Sequence, residues 1–450
     1  MTHQLDSSKA KLVLRYRWAV FGILAAAYFL VYFHRVSTAV VSSDLQLAFG
    51  VGAASIALLS SAYFYAYTVM QLPSGLLTDS WGPRRTVSSF ILLAAAGAVI
   101  TGMASSFQMV VLGRILIGIG AAMVYIPLMK ILANWYRKNE FASLSGILLA
   151  IGNIGALSAA GPLAWLTDAF GWQQVFLMLG AATILLAAVA WAVVRDSPSQ
   201  MGLPSLQEIE DAEMAGPGGS YGTVPVAGAA ASPGTANPAG KIPMKEALRM
   251  TFGSGRRFWP LAIWFFFLYG SIMVYQGLWA GPFYQDILGW DKATSGLVLT
   301  FIGLGMVFGC PAAGYISDKL LGSRRKVLII GALVYAIIWA VIWVGAGQIE
   351  SMQAYMAINF AFGFFGGFFV VGFAQIKELF PMSIVGTTTA ALNIFPFAGG
   401  AVLQQVSGLW LASRSLEAYQ GLWLFMLLCA AVAALAAAMS EENVADRGNG

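Results

Sequence analysis

Charge is scarce in this sequence. Only 10% of its 450 residues are Asp, Glu, Lys or Arg, while 59% are apolar; ordinary soluble proteins carry roughly 25% charged residues. A chain this apolar cannot cover a water-facing surface, so a soluble fold is excluded and the excess must face lipid. Cysteine and histidine are rarer still, with two of each. Cys310 and Cys429 lie inside apolar runs, which argues against a structural disulfide or a thiolate metal site. With His3 in the tail and His34 in the first apolar run, no histidine metal centre can be assembled. No Walker phosphate loop is present, so ATP-driven pumping has no support. The expectation is a protein that is not an enzyme, with no metal, no cofactor and no nucleic-acid partner.

What is present in quantity is the long apolar run. The runs are continuous and rich in Ala, Leu and Gly, unlike the ten-residue alternation of a membrane β-barrel. Hydropathy places helices near 18–43, 53–77, 86–105, 108–133, 142–166 and 173–193, then 257–285, 294–317, 326–346, 352–376, 384–411 and 420–439. The first run is too long for a signal-peptide core and reads as a retained span. Of the 25 Lys and Arg, 20 fall in the two tails and the loops on one side, and only Lys292 and Arg414 in the opposite loops. The positive-inside rule therefore predicts both termini in the cytoplasm. The stretch 212–241 is Gly, Ala, Pro and Ser with few bulky residues, a composition that does not fold. Ile242 to Gly253 after it reads as a short amphipathic helix on the inner membrane surface.

The organisation that follows is an all-α membrane protein of twelve transmembrane helices in two pseudo-symmetric six-helix bundles. An N-terminal tail spans 1–17, the first bundle 18–193, a partly disordered cytoplasmic linker 194–256, the second bundle 257–440 and a tail 441–450. A repeat supports duplication. Gly75, Asp79, Gly82, Arg84 and Arg85 after helix 2 recur as Gly314, Asp318, Gly322, Arg324 and Arg325 after helix 8. Gly75 can let helix 2 approach a neighbour closely. Asp79 can accept hydrogen bonds from a facing helix N-terminus or an arginine. Arg84 and Arg85 can pair across the cytoplasmic seam.

On these residues the chain resembles the major facilitator superfamily of transporters, over about residues 15–440. In that family the motif lies between helices 2 and 3, with a weaker copy between 8 and 9. The resemblance implies that Gly75, Asp79, Gly82, Arg84, Arg85, Gly314, Asp318 and Arg324 gate the inner side, latching it closed while the outer side is open. The second copy departs by one extra residue before Gly322.

Charges at membrane depth are costly and mark function. Here they are His34 and Arg35 in helix 1, Arg114 in helix 4, and Lys130 near that helix's inner end. Asp44, Asp168 and Asp286 sit at outer ends and Glu378 at an inner end, so no acid lies at the centre of a span. Cations without a carboxylate point to an anionic substrate, and arginine offers a fork suited to carboxylate or phosphate. Arg114 opens a run (Arg114 to Gly120) that resembles the family's second signature. The resemblance is nearest to the organophosphate and sugar-phosphate permeases, through Arg195 to Pro204 and the run from Arg256 into helix 7. The organic anion–cation symporters come next. It implies that Arg35 and Arg114 bind the substrate. Sugar-phosphate carriers add an arginine in helix 7; here Tyr275, Gln276 and Trp279 stand in that helix, which suits a carboxylate with a larger, partly apolar or hydroxylated body. Tyr67 and Asn393 complete the candidates, and His34 is the candidate proton carrier, being the mid-membrane group that titrates near neutrality.

The expected protein is thus a secondary active transporter that moves a small organic anion, a carboxylate or phosphorylated metabolite, by alternating access, a monomer in the bacterial inner membrane. Its partners are that anion, membrane lipid, and either a coupling proton or a counter-anion. Export of a drug, siderophore or other metabolite, and a sensor built on a transporter fold, stay open at this point.

Overall fold

The computed structural model describes residues 7–215, 244–381, 384–411 and 413–442. Most of the Gly/Ala/Pro/Ser stretch lies outside the described residues, as do His3, Lys241 and Arg447. The twelve long elements are α1 (Ser7–Phe49), α2 (Ala53–Val69 and Gln71–Ser80), α3 (Pro83–Gly102), α4 (Phe107–Ala122 and Tyr125–Trp135), α5 (Lys138–Ser158 and Gly161–Phe170) and α6 (Trp172–Val193). They continue as α7 (Trp259–Val274, Tyr275–Trp279 and Ala280–Asp286), α8 (Lys292–Tyr315 and Ile316–Leu320), α9 (Arg324–Gly345), α10 (Met352–Gly366 and Phe369–Leu379), α11 (Val385–Trp410) and α12 (Leu416–Met439). Among the described residues nine helices are long and apolar enough to cross a membrane, or eleven when each of two bent pairs counts as one span. α11 completes the expected twelve by position and by its 26 residues. It is diluted by three threonines, Asn393, Gln404 and Gln405.

Three of the breaks have a covalent cause. α2, α4 and α5 are each interrupted four residues before a proline: Val69 before Pro73, Met123 before Pro127, Ser158 before Pro162. Proline lacks the N–H that would bond that carbonyl, and its ring displaces it. α5 bends by 40° there. In α7 the disturbance ahead of Pro282 is taken up as a π-turn at Tyr275–Trp279.

The first six helices pack chiefly on one another, and so do the last six. The sets meet where α2 packs on α11, α5 on α8, and α1 on the later part of α7. Exchanging each helix with the one six places away converts the first pair into the second and returns the third to itself. A two-fold axis between duplicated halves produces this pattern.

The repeat is visible in hydrogen bonds. Gly82 turns the chain at φ +94°, a conformation that suits glycine, and Gly322 does so at +55°. The backbone N–H of Arg84 donates to Asp196 Oδ1 at 2.6 Å, and that of Arg324 donates to Glu442 Oε1 at 2.7 Å. Each acid follows the last helix of its set and caps the helix after the motif, tying α6 to α3 and α12 to α9.

Two short helices flank the undescribed stretch, Leu206–Ala215 and Met244–Phe252. The second matches the expected amphipathic segment. It buries Ala247 and joins α11 through a 2.9 Å contact between the Thr251 and Thr388 hydroxyls. α1 runs further than hydropathy predicts at both ends, because its basic start is held by Arg17, which donates to both carboxylate oxygens of Glu140 at 2.9 and 3.0 Å.

Candidate substrate site

Arg35 lies in the middle of α1, 3% exposed, on the face that meets α2, α7 and α11. Its guanidinium carbon stands 4.2 Å from the ring centre of Tyr32, 5.7 Å from Tyr67 and 5.2 Å from Phe397. Its Nη1 donates to the Tyr269 hydroxyl at 3.1 Å, across the seam between the two sets of helices. Arg114 is 2% exposed, lies 4.8 Å over Tyr63, and donates through Nη1 to the carbonyl of His34 at 2.7 Å. Aromatic faces attract a cation and compensate part of its lost hydration. They provide no hydrogen-bond acceptor for the fork. Arg35 Nε and Arg114 Nε and Nη2 are buried without a hydrogen-bond partner. Among the described residues neither arginine has an acid within ion-pair distance. The two buried guanidiniums thus present three nitrogens with unused donor capacity.

Of the other expected site residues, Tyr67 belongs here, with its ring 4.2 Å from Phe397. Asn393 lies beside the cluster and donates to Gln71 Oε1 at 3.3 Å, again across the seam. His34 is corrected. Neighbouring residues on a helix project about 100° apart, so with Arg35 facing the seam the His34 ring enters a narrow apolar space among α1, α3, α4 and α6. Leu30, Ile91, Ile117 and Thr183 line that space. His34 bonds the arginine pair through its backbone carbonyl. His34→Gln is therefore expected to change anion affinity by less than about threefold, since the bonded group is main chain. Titration calorimetry on purified protein checks this, and a large loss would place the ring in the site.

Tyr275 and Trp279 are corrected too. Six residues separate Tyr269 from Tyr275, about 240° around a helix, so one faces Arg35 and the other faces away. The Tyr275 hydroxyl donates to Asn359 Oδ1 at 3.2 Å amid Trp339, Phe362 and Trp423. Trp279 Nε1 donates to Ser407 at 2.7 Å. Both hold the second set together, and Gln276 is buried on the π-turn between them. Lys130 pairs with Asp79 at 2.6 Å and so belongs to the motif loop.

The motif residues bond within their own sets. Arg84 donates to the Trp191 carbonyl and lies 4.9 Å over that ring. Arg324 pairs with Asp318, and with Glu378 at 3.0 Å. Among the described residues the expected pairing of Arg84 and Arg85 across the seam is absent, and Gly75 and Gly314 meet nothing within 4 Å where a Cβ would stand. At this end the second segments of α4 and α10 each pack chiefly on helices of their own set.

The opposite end is sealed, by residues that sequence reasoning left out of the site. Asp291 caps α8 by accepting the Thr294 N–H at 2.6 Å, and this bond holds its carboxyl below the usual range. The cap fixes Lys292 in the first turn, where it reaches Asp44 of α1 at 2.6 Å and Asp168 of α5 at 3.5 Å. Close backbone approaches flank it. A Cβ on Gly408 would stand 2.3 Å from Ala57 Cβ, and one on Gly296 would stand 3.0 Å from Gly161 Cα. Among the described residues the ion pairs that join the two sets all lie at this end.

Comparison with known proteins follows the same lines. The family model described as Major Facilitator Superfamily matches residues 24–403 and 281–448. A probable hexose phosphate transport protein of Chlamydia pneumoniae is 23% identical over 93% of this chain and 90% of its own length. The D-galactonate transporter of Escherichia coli O6:H1 is 25% identical over 82% of each chain. A probable sulfoacetate transporter of Cupriavidus necator is 24% identical over 68% of this chain and 66% of its own. Among solved structures, a D-xylose–proton symporter superposes with a TM-score of 0.69 at 14% identity, covering 95% of this chain and 98% of that one.

Proposed function

The chain belongs to the Major Facilitator Superfamily, and from that premise we propose that it carries a small organic anion through the membrane by alternating access. Residues 18–193 and 257–440 are the two rocking halves and 194–256 the tether between them. Both termini face the cytoplasm, by the distribution of lysine and arginine. The observation that carries this reading is the buried pair Arg35 and Arg114, with spare donors and no acid beside them. The relatives named as transporters of hexose phosphate, galactonate and sulfoacetate all handle anions by those names, which supports the same reading.

The substrate class is a carboxylate with a hydroxylated or partly apolar body. A phosphate ester would be served best by cations from both halves. Here the second half offers Arg35 a phenol, Tyr269, and a ring, Phe397. One guanidinium fork fits one carboxylate, while the surrounding hydroxyls suit a polyol body. Coupling runs through a proton or an exchanged anion.

The test is thermal stability of the purified full-length protein against sugar acids, sugar phosphates and neutral sugars, followed by flux into proteoliposomes. A ligand bound to the folded state raises Tm by mass action. Sugar acids are expected to raise it and to be transported. Equal stabilisation and flux with neutral sugars would remove the anion reading, and binding without flux would assign a sensor.

A further inference from the structure

The two motif loops are related by the repeat, and a groove lies beside each. The groove of the first half, about 430 Å³, is lined by Trp81, Arg84, Arg85, Arg195, Asp196 and Gln200. That of the second half is lined by Arg256, Arg325 and the stretch Ala438 to Glu442. Arg85 and Asp196 of the first groove correspond in the repeat to Arg325 and Glu442 of the second, but the two grooves differ in charge. The first holds three arginines and one acid. The second holds two arginines and two acids, and one of the acids, Glu441, is also paired with Arg257 at 3.2 Å. The duplicated site is neutral in one copy and carries two net positive charges in the other.

Among the described residues none of the three arginines of the first groove is in a salt bridge, and Asp196 is the one acid beside them. Asp196 gives one oxygen to the Arg84 N–H and the other to Gln200 Nε2 at 2.9 Å. Among the described residues the Arg195 side chain donates to the carbonyls of Ala192 and Val194, at 2.8 and 2.9 Å, and the Arg84 side chain to that of Trp191. Arg85 is exposed and, among the described residues, unpaired. Backbone carbonyls orient these guanidiniums without neutralising them. Next to the groove, the outer face of α6 exposes Leu185 and Trp191, 66% and 49% accessible, and Trp81 projects from the end of α2 at 43%. Indoles of this kind settle at the level of lipid headgroups. Arg84 lies directly over the Trp191 ring.

We propose that this groove binds the headgroup of an anionic phospholipid, with the phosphate between Arg85 and Arg195 and the acyl chains along α6. A free phosphate would use the cations alone. The adjoining apolar strip, continuous with the lipid-facing surface, commits the site to a lipid. On the proposed orientation the lipid belongs to the cytoplasmic leaflet. The groove lies on the loop that joins α2 to α3 and on the end of α6, so a bound headgroup clamps the same strands that Asp196 ties together.

Native mass spectrometry of the full-length protein in detergent, with phosphatidylglycerol or phosphatidylcholine added, tests the assignment. The wild type is expected to retain phosphatidylglycerol in preference to phosphatidylcholine. The Arg85→Gln/Arg195→Gln variant should lose that preference by about 30-fold, the effect of two arginines at an anionic surface. The Arg256→Gln variant, in the neutral groove, should keep it. Tm in phosphatidylcholine alone, equal for the wild type and both variants, shows that the changes leave the fold intact. The proposal is overturned if the double variant keeps the wild-type preference. It is also overturned if the wild type shows none, or if inorganic phosphate displaces the lipid at equal concentration.

Discussion

Arg35→Ala is expected to reduce transport to background, with the protein still inserted and folded. Arg35 is the centre of the cluster that joins the halves: it stacks on Tyr32 and Phe397, bonds Tyr269, and holds a buried donor in reserve. Hydrogen bonds to a charged partner contribute about 1.5–3 kcal/mol, so affinity should fall by about 10- to 100-fold. Arg114→Ala should act in the same direction. Two milder variants separate charge from geometry. Arg35→Lys keeps the charge but loses the planar fork, and should retain a minority of flux. Tyr269→Phe removes one neutral acceptor and should cost about fivefold in affinity. Uptake into proteoliposomes, normalised to inserted protein, measures all four. Normal flux in both alanine variants would place the anion elsewhere.

The second large effect is conformational. Lys292→Gln should open the sealed end. The ammonium bridges α8 to α1 and α5 and is 11% exposed on its side chain, so its pairs lie between the surface and the buried limit. Their loss should cost the closed form about 1–2 kcal/mol, a 5- to 30-fold shift in the ratio of states. A thiol reports it. Ser43 on α1 faces Gln285 on α7 at 3.5 Å within the seal. In a protein whose Cys310 and Cys429 are replaced by alanine, Ser43→Cys should react slowly with a membrane-impermeant maleimide. Adding Lys292→Gln should accelerate that reaction 5- to 30-fold. An unchanged rate would show that small-residue packing at Gly408 and Gly296 closes this end without the charge.

These effects differ in how far they could be read from the chain. Arg35 and Arg114 are legible because charge inside a span is rare, and rarity alone singles them out. The repeat is legible because Gly, Asp and paired basics recur at the same offsets. The rings around Arg35 are not, since Tyr32, Tyr269 and Phe397 are three aromatics among many and only helix rotation selects them. Tyr32 leaves a faint trace, lying three residues before Arg35 and so on the same face. Rotation also misplaces His34 and Tyr275, which composition makes conspicuous and geometry turns away. Lys292 lies 248 residues from Asp44 along the chain. Asp196 and Glu442 reach their helix caps across more than a hundred residues. No local pattern marks such pairs.

The buried cations also make the empty protein responsive to voltage. A full elementary charge crossing the whole membrane field gains or loses about 2.3 kcal/mol per 100 mV. Arg35 and Arg114 each move through part of that field when the halves rock, and among the described residues neither is paired with an acid that would cancel its charge. On the proposed orientation, a potential negative inside draws the unloaded site toward the cytoplasmic side, the form in which Lys292 seals the other end. A bound carboxylate cancels one of the two charges and halves that pull.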